Sequence, residues 1–326
     1  MKLTRLKYFA GAGLLITALL LYKYWTPDIP HAVLTVKYAT GASDFIDLPS
    51  GATAHYRMQG NDEGPTLLLL HGSNASLHTW EGWVDQLEDD YFVVSVDLPG
   101  HGLTGATPAE DYTYSGMVSF LKEFTQSIGI KEFFVTGNSM GGAISLQYAL
   151  TYPEEVKGLI LVNSAGIKTP EVTANKTDHP LAFRLAGNWY SGWILENITP
   201  RSVAAEGLNK SMADQTYLSE ALIDRYWELA LHPGNRSATN KRFAWYRASR
   251  QELAVENIHV PTLIIWGEED MVIPVETGHE LHKRIKGSQI VTHKGLGHIP
   301  MEENPRKTVK EAKNFLAAIS ASNKTS

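Results

Sequence analysis

Gly137-Asn138-Ser139-Met140-Gly141 is the most informative stretch of this chain. It follows an apolar run, Phe133-Phe134-Val135-Thr136, that predicts a strand, and it leads into a segment that predicts a helix from about Met140 to Tyr152. The pattern G-x-S-x-G between a strand and a helix is typical of a nucleophile elbow, a sharp turn that exposes the serine. A side chain at either glycine would collide with the neighbouring strand or helix. Five-residue patterns recur by chance, but this context favours Ser139 as a nucleophile over a structural turn.

A serine hydroxyl becomes a good nucleophile when a histidine takes its proton and an acid orients that histidine. After an elbow of this kind, the acid precedes the histidine along the chain. The β-branched run Thr262–Trp266 predicts a buried strand, and the loop after it carries Glu268, Glu269 and Asp270. Asp270 lies just past the carboxyl end of the strand, so we predict it as the acid. Glu268 and Glu269 are the local alternatives.

The histidine of the triad is expected after the last strand. The chain has 12 histidines, and a histidine chosen at random is more often a surface or core residue than a catalytic one. His298 follows the apolar strand Gln289–Val291 in the loop Gly295–Pro300, where a flanking glycine lets a side chain reach the nucleophile. We therefore predict His298 and rank His293, at the end of the strand, below it.

Attack of serine on an ester carbonyl creates an oxyanion that needs preorganised N–H donors. The backbone N–H of Met140, directly after the nucleophile, is predicted as one donor. The strand Leu67–Leu70 ends at His71-Gly72-Ser73-Asn74, and this loop is predicted to supply the other. Ser73 is the first choice for that donor, and Asn74 is the second.

Together these motifs resemble those of the α/β-hydrolase superfamily, over about residues 45–320. The matching stretches follow the family's order along the chain: Leu70-His71-Gly72, Asp97-Leu98-Pro99-Gly100-His101-Gly102, Gly137–Gly142, Gly267–Pro274 and Gly297-His298. Five motifs in this order are far more specific than any one of them. The resemblance implies an α/β-hydrolase fold in which Ser139, Asp270 and His298 form the catalytic triad.

Apolar strands that alternate with helical segments predict a mostly parallel central sheet flanked by helices. The first two strands are expected to form an antiparallel hairpin around Pro49-Ser50-Gly51. The predicted strands lie near residues 45–48, 53–59, 66–70, 91–96, 133–136, 158–162, 262–266 and 289–292. The predicted helices lie near residues 80–88, 114–128, 140–152, 275–286 and 305–320.

Residues 167–252 break this alternation. The interval has helical stretches, such as Ser219–Leu231 and Asn240–Arg250, and no clear strand. It also holds four of the chain's 8 tryptophans: Trp189, Trp193, Trp227 and Trp245. We interpret it as a helical cap inserted between two parts of the hydrolase core, residues 45–166 and 253–326. Whether its apolar residues line an acyl pocket or only pack the cap on the core is left open.

Composition and motifs argue against several other classes of protein. With 29 Lys+Arg against 35 Asp+Glu, the net charge of −6 gives no support for nucleic-acid binding. Gly100–Gly105 spells G-x-G-x-x-G, but Ala106–Ala109 follows in place of the helix that a dinucleotide site requires. His279 and His282 share a predicted helix, but no cysteine or acidic partner completes a metal site. We predict no cofactor, no metal and no nucleic-acid partner.

Residues 1–25 predict a membrane segment. Lys2, Arg5 and Lys7 precede an uncharged stretch, Tyr8–Tyr22. As a helix this stretch covers roughly 22 Å, and the aromatic flank to Trp25 extends it to the low end of a spanning helix. A cleaved signal peptide is the alternative, but bulky residues follow the apolar run where cleavage requires small ones. We therefore predict an uncleaved signal-anchor, with residues 26–44 as a tether.

The charge distribution also predicts an orientation. Basic residues before the apolar segment keep the amino terminus in the cytoplasm, so the catalytic domain would lie on the other side of the membrane. The sequon Asn74-Ala75-Ser76 would place a glycan inside the predicted oxyanion loop, which favours a bacterium over a eukaryotic secretory lumen. We expect a bacterial inner-membrane anchor with a periplasmic catalytic domain; secretion after signal cleavage is the alternative.

These features predict a membrane-anchored serine hydrolase of acylglycerols or other lipophilic esters, and the chain resembles membrane-anchored monoacylglycerol-lipase-like members of the superfamily. The nearest alternative is a carbon–carbon bond hydrolase of ring-cleavage products, because such relatives share the Gly-Asn-Ser-Met-Gly-Gly elbow of residues 137–142. Those relatives are usually soluble. A non-catalytic binding protein on the same fold is an alternative from another class, although such members often lack a triad residue. The acyl length, the head group and the oligomeric state are left open.

Overall fold

An eight-stranded sheet forms the frame of the molecule in the computed structural model, which describes residues 22–168, 187–188, 191–249 and 252–322. Its strands are β1 (Ser43–Asp47), β2 (Thr53–Gly60), β3 (Thr66–Leu70), β4 (Phe92–Val96), β5 (Phe133–Asn138), β6 (Val156–Val162), β7 (Thr262–Gly267) and β8 (Gln289–His293). Their order across the sheet is β1-β2-β4-β3-β5-β6-β7-β8. β2 pairs antiparallel with β1 and β4, and the other neighbouring strands are parallel. The predicted hairpin and the mostly parallel sheet are confirmed.

The helices begin and end where the local sequence supports it. They are α1 (His31–Tyr38), α2 (Glu81–Leu87), α3 (Tyr114–Ser127), α4 (Met140–Thr151), α5 (Gly192–Asn197), α6 (Arg201–Ser211), α7 (Glu220–Ala230), α8 (Asn235–Ala248), α9 (Val275–Arg284), α10 (Pro300–Glu303) and α11 (Pro305–Ser322). The hydroxyl of Thr113 caps α3 by accepting from the Gly116 N–H, and that of Ser219 caps α7 by accepting from the Leu222 N–H. Such caps satisfy backbone donors that the first turn of a helix leaves unpaired.

Both faces of the sheet are covered. Leu68 and Leu70 of β3 belong to a buried cluster that includes residues of α3 and α4. Leu67 and Leu69, which alternate with them, belong to a second cluster that includes residues of α2 and α11. Because a strand sends successive side chains to opposite faces, β3 is apolar at every position of this run. Groups that must meet a substrate are therefore confined to the loops at the carboxyl ends of the strands.

The insertion between β6 and β7 is helical, as predicted. Helices α7 and α8 correspond to the predicted stretches Ser219–Leu231 and Asn240–Arg250, but α5 and α6 were not predicted. Trp189 lies outside the described residues. The division of the chain into domains at residues 167 and 252 stays a prediction.

The segment before the sheet contacts the cap, and the role of residues 26–44 as a tether stays a prediction. Helix α1 lies within it, and Leu34 and Tyr38 of that helix are buried. The Ile29 N–H donates to the carbonyl of Leu231, and Lys37 pairs with Glu228 of α7 at 2.7 Å. Helix α1 was not predicted from the sequence. The proline and glycine residues of this segment suggested an irregular chain, whereas Leu34 and Tyr38, spaced four apart, bury one face of a short helix.

The predicted membrane segment, residues 1–25, lies almost wholly outside the described residues. Across the ranges that the structure describes, no helix combines the length and the apolar character needed to span a bilayer.

Candidate active site

Ser139 lies at the turn from β5 into α4 with a φ of 52° and a ψ of −116°. A positive φ is strained for a residue with a side chain. A Cβ on Gly137 would overlap the backbone of Gly141, and a Cβ on Gly141 would overlap the carbonyl oxygen of Leu70. The two glycines are thus required by close backbone approach on both sides of the serine, as the sequence predicted. The turn holds Ser139 at the carboxyl edge of the sheet.

Asp270 and His298 come together at the same edge. The Nδ1–H of His298 donates to the Asp270 carboxylate at 2.7 Å, because a carboxylate can only accept there. Both residues are buried. The second carboxylate oxygen of Asp270 accepts from the N–H groups of Val272 and Ile273, at 2.7 and 2.9 Å. Asp270 therefore fixes the tautomer of His298 and leaves Nε2 for a proton transfer.

The alternative acids and the alternative histidine have other roles. Glu268 accepts from the Thr292 hydroxyl, and Glu269 accepts from the Gly295 N–H; both glutamates are exposed. His293 lies at the end of β8, where burial lowers its pKa, and it does not line the cavity described below. Of the five candidates, Asp270 and His298 are the two that lie within hydrogen-bond distance of each other.

Ser139 and His298 line one cavity, together with Gly72, Ser73 and Asn74. A Cβ on Gly72 would lie 3.3 Å from the Cβ of Ser139, so the loop after β3 passes directly beside the nucleophile. In the described structure no hydrogen bond joins the Ser139 hydroxyl to His298. Such bonds often tighten only when substrate is bound.

Of the two predicted oxyanion donors, Ser73 lines this cavity and Met140 directly follows Ser139 in the chain. Met140 is the first residue of α4, so its N–H belongs to the unpaired first turn of a helix. Within the described ranges, neither the Met140 N–H nor the Ser73 N–H donates to a backbone or side-chain acceptor. Two N–H groups beside a nucleophile at a helix amino terminus are suited to receive negative charge. The catalytic roles of all five predicted site residues stay predictions.

Asn163 is a site residue that the sequence did not reveal. Its amide nitrogen donates to the Asp270 carboxylate at 2.7 Å, and its amide oxygen accepts from the Gly267 N–H at 3.2 Å. Asn163 also has a φ of 45°, a strained value that its neighbours must hold in place. A polar residue just past the carboxyl end of the apolar strand β6 was the available signal, because parallel strands end at the same edge.

A buried polar cluster supports the oxyanion loop from below. His71 donates through Nδ1 to the Gly72 carbonyl and accepts at Nε2 from the Leu98 N–H, and burial lowers its pKa, so the ring is neutral. Asp97 accepts from the N–H groups of Leu77 and Leu103. Burial acts to raise the pKa of Asp97, but the adjacent histidines, led by the hydrogen-bonded His55, bring it below its usual range. These bonds hold the glycine-rich turn after β4 in place, and Gly100, His101 and Gly102 of that turn also line the cavity.

The cap supplies an apolar roof. The cavity encloses about 170 Å³ and reaches from Ser139 into the cap. Its apolar cap residues come from α5, α6 and α7 and the segments beside them: Leu195, Ile198, Val203, Leu208, Trp227 and Leu229. Trp227 thus lines the pocket, whereas Trp245 packs on Tyr114 and Trp193 is exposed. A polar reaction centre under an apolar roof suits a substrate with a reactive carbonyl and an apolar tail.

Known proteins share this architecture. A family model described as alpha/beta hydrolase fold matches residues 65–305. Lipase 3 of Moraxella sp. (strain TA144) is 30% identical over 298 residues, which are 86% of this chain and 87% of that protein. Monoacylglycerol lipase ABHD6 of Mus musculus is 32% identical over 265 residues, which are 78% of this chain and 76% of that protein.

A solved structure, of a membrane phospholipase A described as a novel bacterial virulence factor, is 25% identical. It superposes with a TM-score of 0.70 and covers 97% of this chain and 96% of that chain. The family model spans most of the described core, and the curated relatives match across both core segments and the cap. The chain therefore belongs to the α/β hydrolase fold family and is a lipase- or esterase-like hydrolase by distant homology.

Proposed function

We propose that this protein is a serine hydrolase that cleaves lipophilic carboxylic esters through an acyl-enzyme intermediate. The observation that carries the proposal is the Asp270–His298 hydrogen bond at the cavity that also holds Ser139 in its strained turn. His298 takes the proton of Ser139 as the serine oxygen attacks the ester carbonyl, and Asp270 stabilises the imidazolium that forms. The N–H groups of Ser73 and Met140 receive the oxyanion.

The second half of the reaction uses the same groups. The tetrahedral intermediate collapses when His298 returns its proton to the leaving alcohol, and Ser139 stays acylated. His298 then removes a proton from water, which attacks the acyl carbonyl and releases the acid with the serine hydroxyl restored. No cofactor is needed for either step, and no proton is lost or gained overall.

The apolar cap points to the substrate class. An acyl chain that runs from Ser139 toward Trp227 and Leu229 would exchange water for apolar side chains, worth about 0.8 kcal/mol per buried methylene. Two relatives carry the names lipase and monoacylglycerol lipase, which is consistent with acylglycerols or similar esters. We also propose that residues 1–25 anchor the protein in a bacterial inner membrane with the catalytic domain in the periplasm, which would hold the cavity close to its lipid substrates.

Replacement of the nucleophile tests the assignment. We expect Ser139→Ala to abolish hydrolysis of p-nitrophenyl esters and labelling by a fluorophosphonate probe while the protein stays folded, because the variant lacks the hydroxyl that we assign as the nucleophile. Ser145→Ala is the matched control, since Ser145 is a buried serine of α4 whose hydroxyl bonds to the Gly141 carbonyl outside the cavity. Undiminished ester hydrolysis by Ser139→Ala would contradict the proposal.

Assays of the native protein also distinguish ester hydrolysis from the alternative, hydrolysis of a carbon–carbon bond. Esters of increasing acyl length and a ring-cleavage dienoate are assayed side by side, and kcat/KM is compared. We expect ester hydrolysis that improves with acyl length. A higher kcat/KM for the dienoate than for every ester would overturn the ester assignment.

A further inference from the structure

A buried arginine of the cap reaches into the hydrolase core beside the oxyanion loop. Arg242 is in α8, and its side chain is 5% exposed. One guanidinium nitrogen, Nη2, donates to the Ser73 hydroxyl at 2.6 Å and lies 3.3 Å from the side-chain oxygen of Asn74. The other, Nη1, lies 2.7 Å from Nε2 of His101. A single side chain of the cap thus bonds to Ser73, the predicted loop donor of the oxyanion hole, and to Asn74, the second choice for that donor.

The bond to His101 has a fixed direction. His101 donates through Nδ1 to the Pro99 carbonyl at 2.9 Å, so its Nε2 carries a lone pair and accepts from Arg242. Burial, together with the guanidinium, lowers the pKa of His101 well below its ordinary value, so the ring stays neutral at physiological pH. His101 therefore acts as a rigid acceptor that locks the guanidinium in place.

Arg242 is a buried charge without a carboxylate partner among the described residues. In the part of the chain that the structure describes, no aspartate or glutamate forms an ion pair with it, although arginines elsewhere in the cap, such as Arg225 and Arg201, are paired. Burial lowers the pKa of Arg242 to about 10, which still leaves it protonated at neutral pH. Buried charges are normally paired because desolvation is costly.

The loop that Arg242 contacts is strained. Asn74 has a φ of 59°, in the left-handed region. Its side-chain oxygen also accepts from the Thr239 hydroxyl at 3.1 Å, so α8 holds this residue through two side chains. Without these hydrogen bonds, nothing would offset the energetic cost of a positive φ at Asn74. The position of the Ser73 N–H therefore depends on a helix of the cap.

We propose that Arg242 is a positioning residue of the oxyanion hole: it holds the Ser73–Asn74 turn beside Ser139, and the negative charge that develops on the substrate oxygen is its counter-charge. The inference rests on the proposed function. It explains why this buried cation has no carboxylate partner within the described ranges, since a permanent partner would neutralise it before the reaction begins. It also makes the oxyanion hole complete only when the cap is seated on the core.

The test compares Arg242→Gln and Arg242→Lys with the native full-length chain. The substrate is a soluble short-chain p-nitrophenyl ester, and the inhibitor is a trifluoromethyl ketone, which forms a tetrahedral adduct with the serine. We expect Arg242→Gln to lower kcat and weaken the inhibitor by about 10- to 100-fold, less than the loss of a direct oxyanion donor, with KM changed by less than about threefold. Arg242→Lys keeps the positive charge but loses the planar pair of guanidinium donors. We expect its kcat and inhibitor affinity to lie between those of the native protein and those of Arg242→Gln.

Arg225→Gln is the matched control. Arg225 is a mostly buried arginine of α7 that pairs with Glu302 and Glu81, and it contacts neither the oxyanion loop nor the cavity. We expect this control to lower the melting temperature but to leave kcat and inhibitor affinity within about threefold of native.

The outcomes separate cleanly. If Arg242→Gln loses only stability, as the control does, the inference is wrong. If Arg242→Gln does not fold, Arg242→Lys decides alone: native kcat and native inhibitor affinity in that variant would overturn the positioning role. If the native protein hydrolyses no ester, the proposed function fails. If the native protein is active and the Arg242 variants keep native kcat and native inhibitor affinity, only this inference is refuted.

Discussion

Asp270 is the most heavily bonded side chain in the predicted site. Its two oxygens accept from the N–H groups of Val272 and Ile273, from Asn163 and from His298. Four donors on one buried carboxylate fix its plane and so the orientation of His298. Asn163 is the member of this set whose side chain can be changed without touching the triad.

Asn163→Ala tests this support. The variant removes one bond to the Asp270 carboxylate and leaves the Gly267 N–H without its acceptor, so we expect a loss of about 1–3 kcal/mol in the free energy of unfolding. A less constrained His298 lowers kcat/KM by about one to two orders of magnitude. Urea denaturation and ester kinetics measure the two effects. Asn197→Ala is the control, because Asn197 is a half-buried asparagine of the cap whose amide donates to the Trp193 carbonyl and not to Asp270. Equal kcat/KM in both variants would show that Asn163 does not orient the pair.

At the scale of elements, the histidine loop is held between α10 and the end of α6. The His298 N–H donates to the Ser211 carbonyl at 2.7 Å. Glu303 of α10 accepts from the N–H groups of Gly297, Ala213 and Asp214, at 2.6 to 2.8 Å. Burial raises the pKa of Glu303, against the effect of these three N–H donors. The loop that carries His298 is therefore joined to the cap through the Glu303 carboxylate and through the Ser211 carbonyl.

Glu303→Ala leaves three N–H groups without their acceptor. We expect it to lower the free energy of unfolding by about 1–3 kcal/mol, because the Gly297 N–H is buried and loses its acceptor, whereas Ala213 and Asp214 are exposed residues. Glu303→Gln keeps one acceptor oxygen and is expected to lose less. Glu154→Ala, at an exposed glutamate, is expected to change stability by less than about 0.5 kcal/mol. The midpoints of urea denaturation provide the comparison. A midpoint for Glu303→Ala equal to that for Glu154→Ala would show that Glu303 does not stabilise the contact between the His298 loop and the cap.

For the molecule as a whole, the chain that would leave the membrane is tied to the cap. The Thr26 N–H donates to the Asn197 carbonyl at 2.8 Å, and Arg236 of α8 binds the Asp28 carboxylate at 2.7 Å. The exposed ring of Trp25 lies beside that of the exposed Trp193. An anchor that ends near Trp25 would thus hold the cap, and the cavity below it, at a short and constrained distance from the bilayer.

Cell fractionation tests the proposed anchor. In a bacterial host we expect the full chain to stay in the membrane pellet after alkaline carbonate extraction and to be digested by protease added to spheroplasts. A variant with Leu15→Arg and Leu19→Arg is expected in the soluble fraction, because each charge costs about 2.5–3.5 kcal/mol at the centre of a spanning helix. Native protein in the soluble fraction would contradict anchoring, and a shortened mature chain would favour signal cleavage.

Helix and strand positions were predicted closely where periodicity is strong. β3 and α4, for example, were placed within a residue or two, because a four-leucine run and an alanine-containing helix after a glycine turn allow few other structures. Asn163, Arg242 and α1 were missed for a common reason. Each is held by a partner far away in the chain: Asn163 by Asp270, Arg242 by Ser73 and α1 by Glu228. The local sequence pattern does not indicate these partners.

The sequence alone determined the order of the five motifs, because strand, turn and helix preferences act over a few residues. We assigned the serine, the acid and the histidine from that order. Only the tertiary structure decided which side chains hold those groups in place. Parallel strands bring Asn163 to Asp270 across 107 residues of sequence, and the cap brings Arg242 to Ser73 across 169. Hydrogen bonds of this kind depend on distances of a few tenths of an ångström, which packing sets and sequence spacing does not.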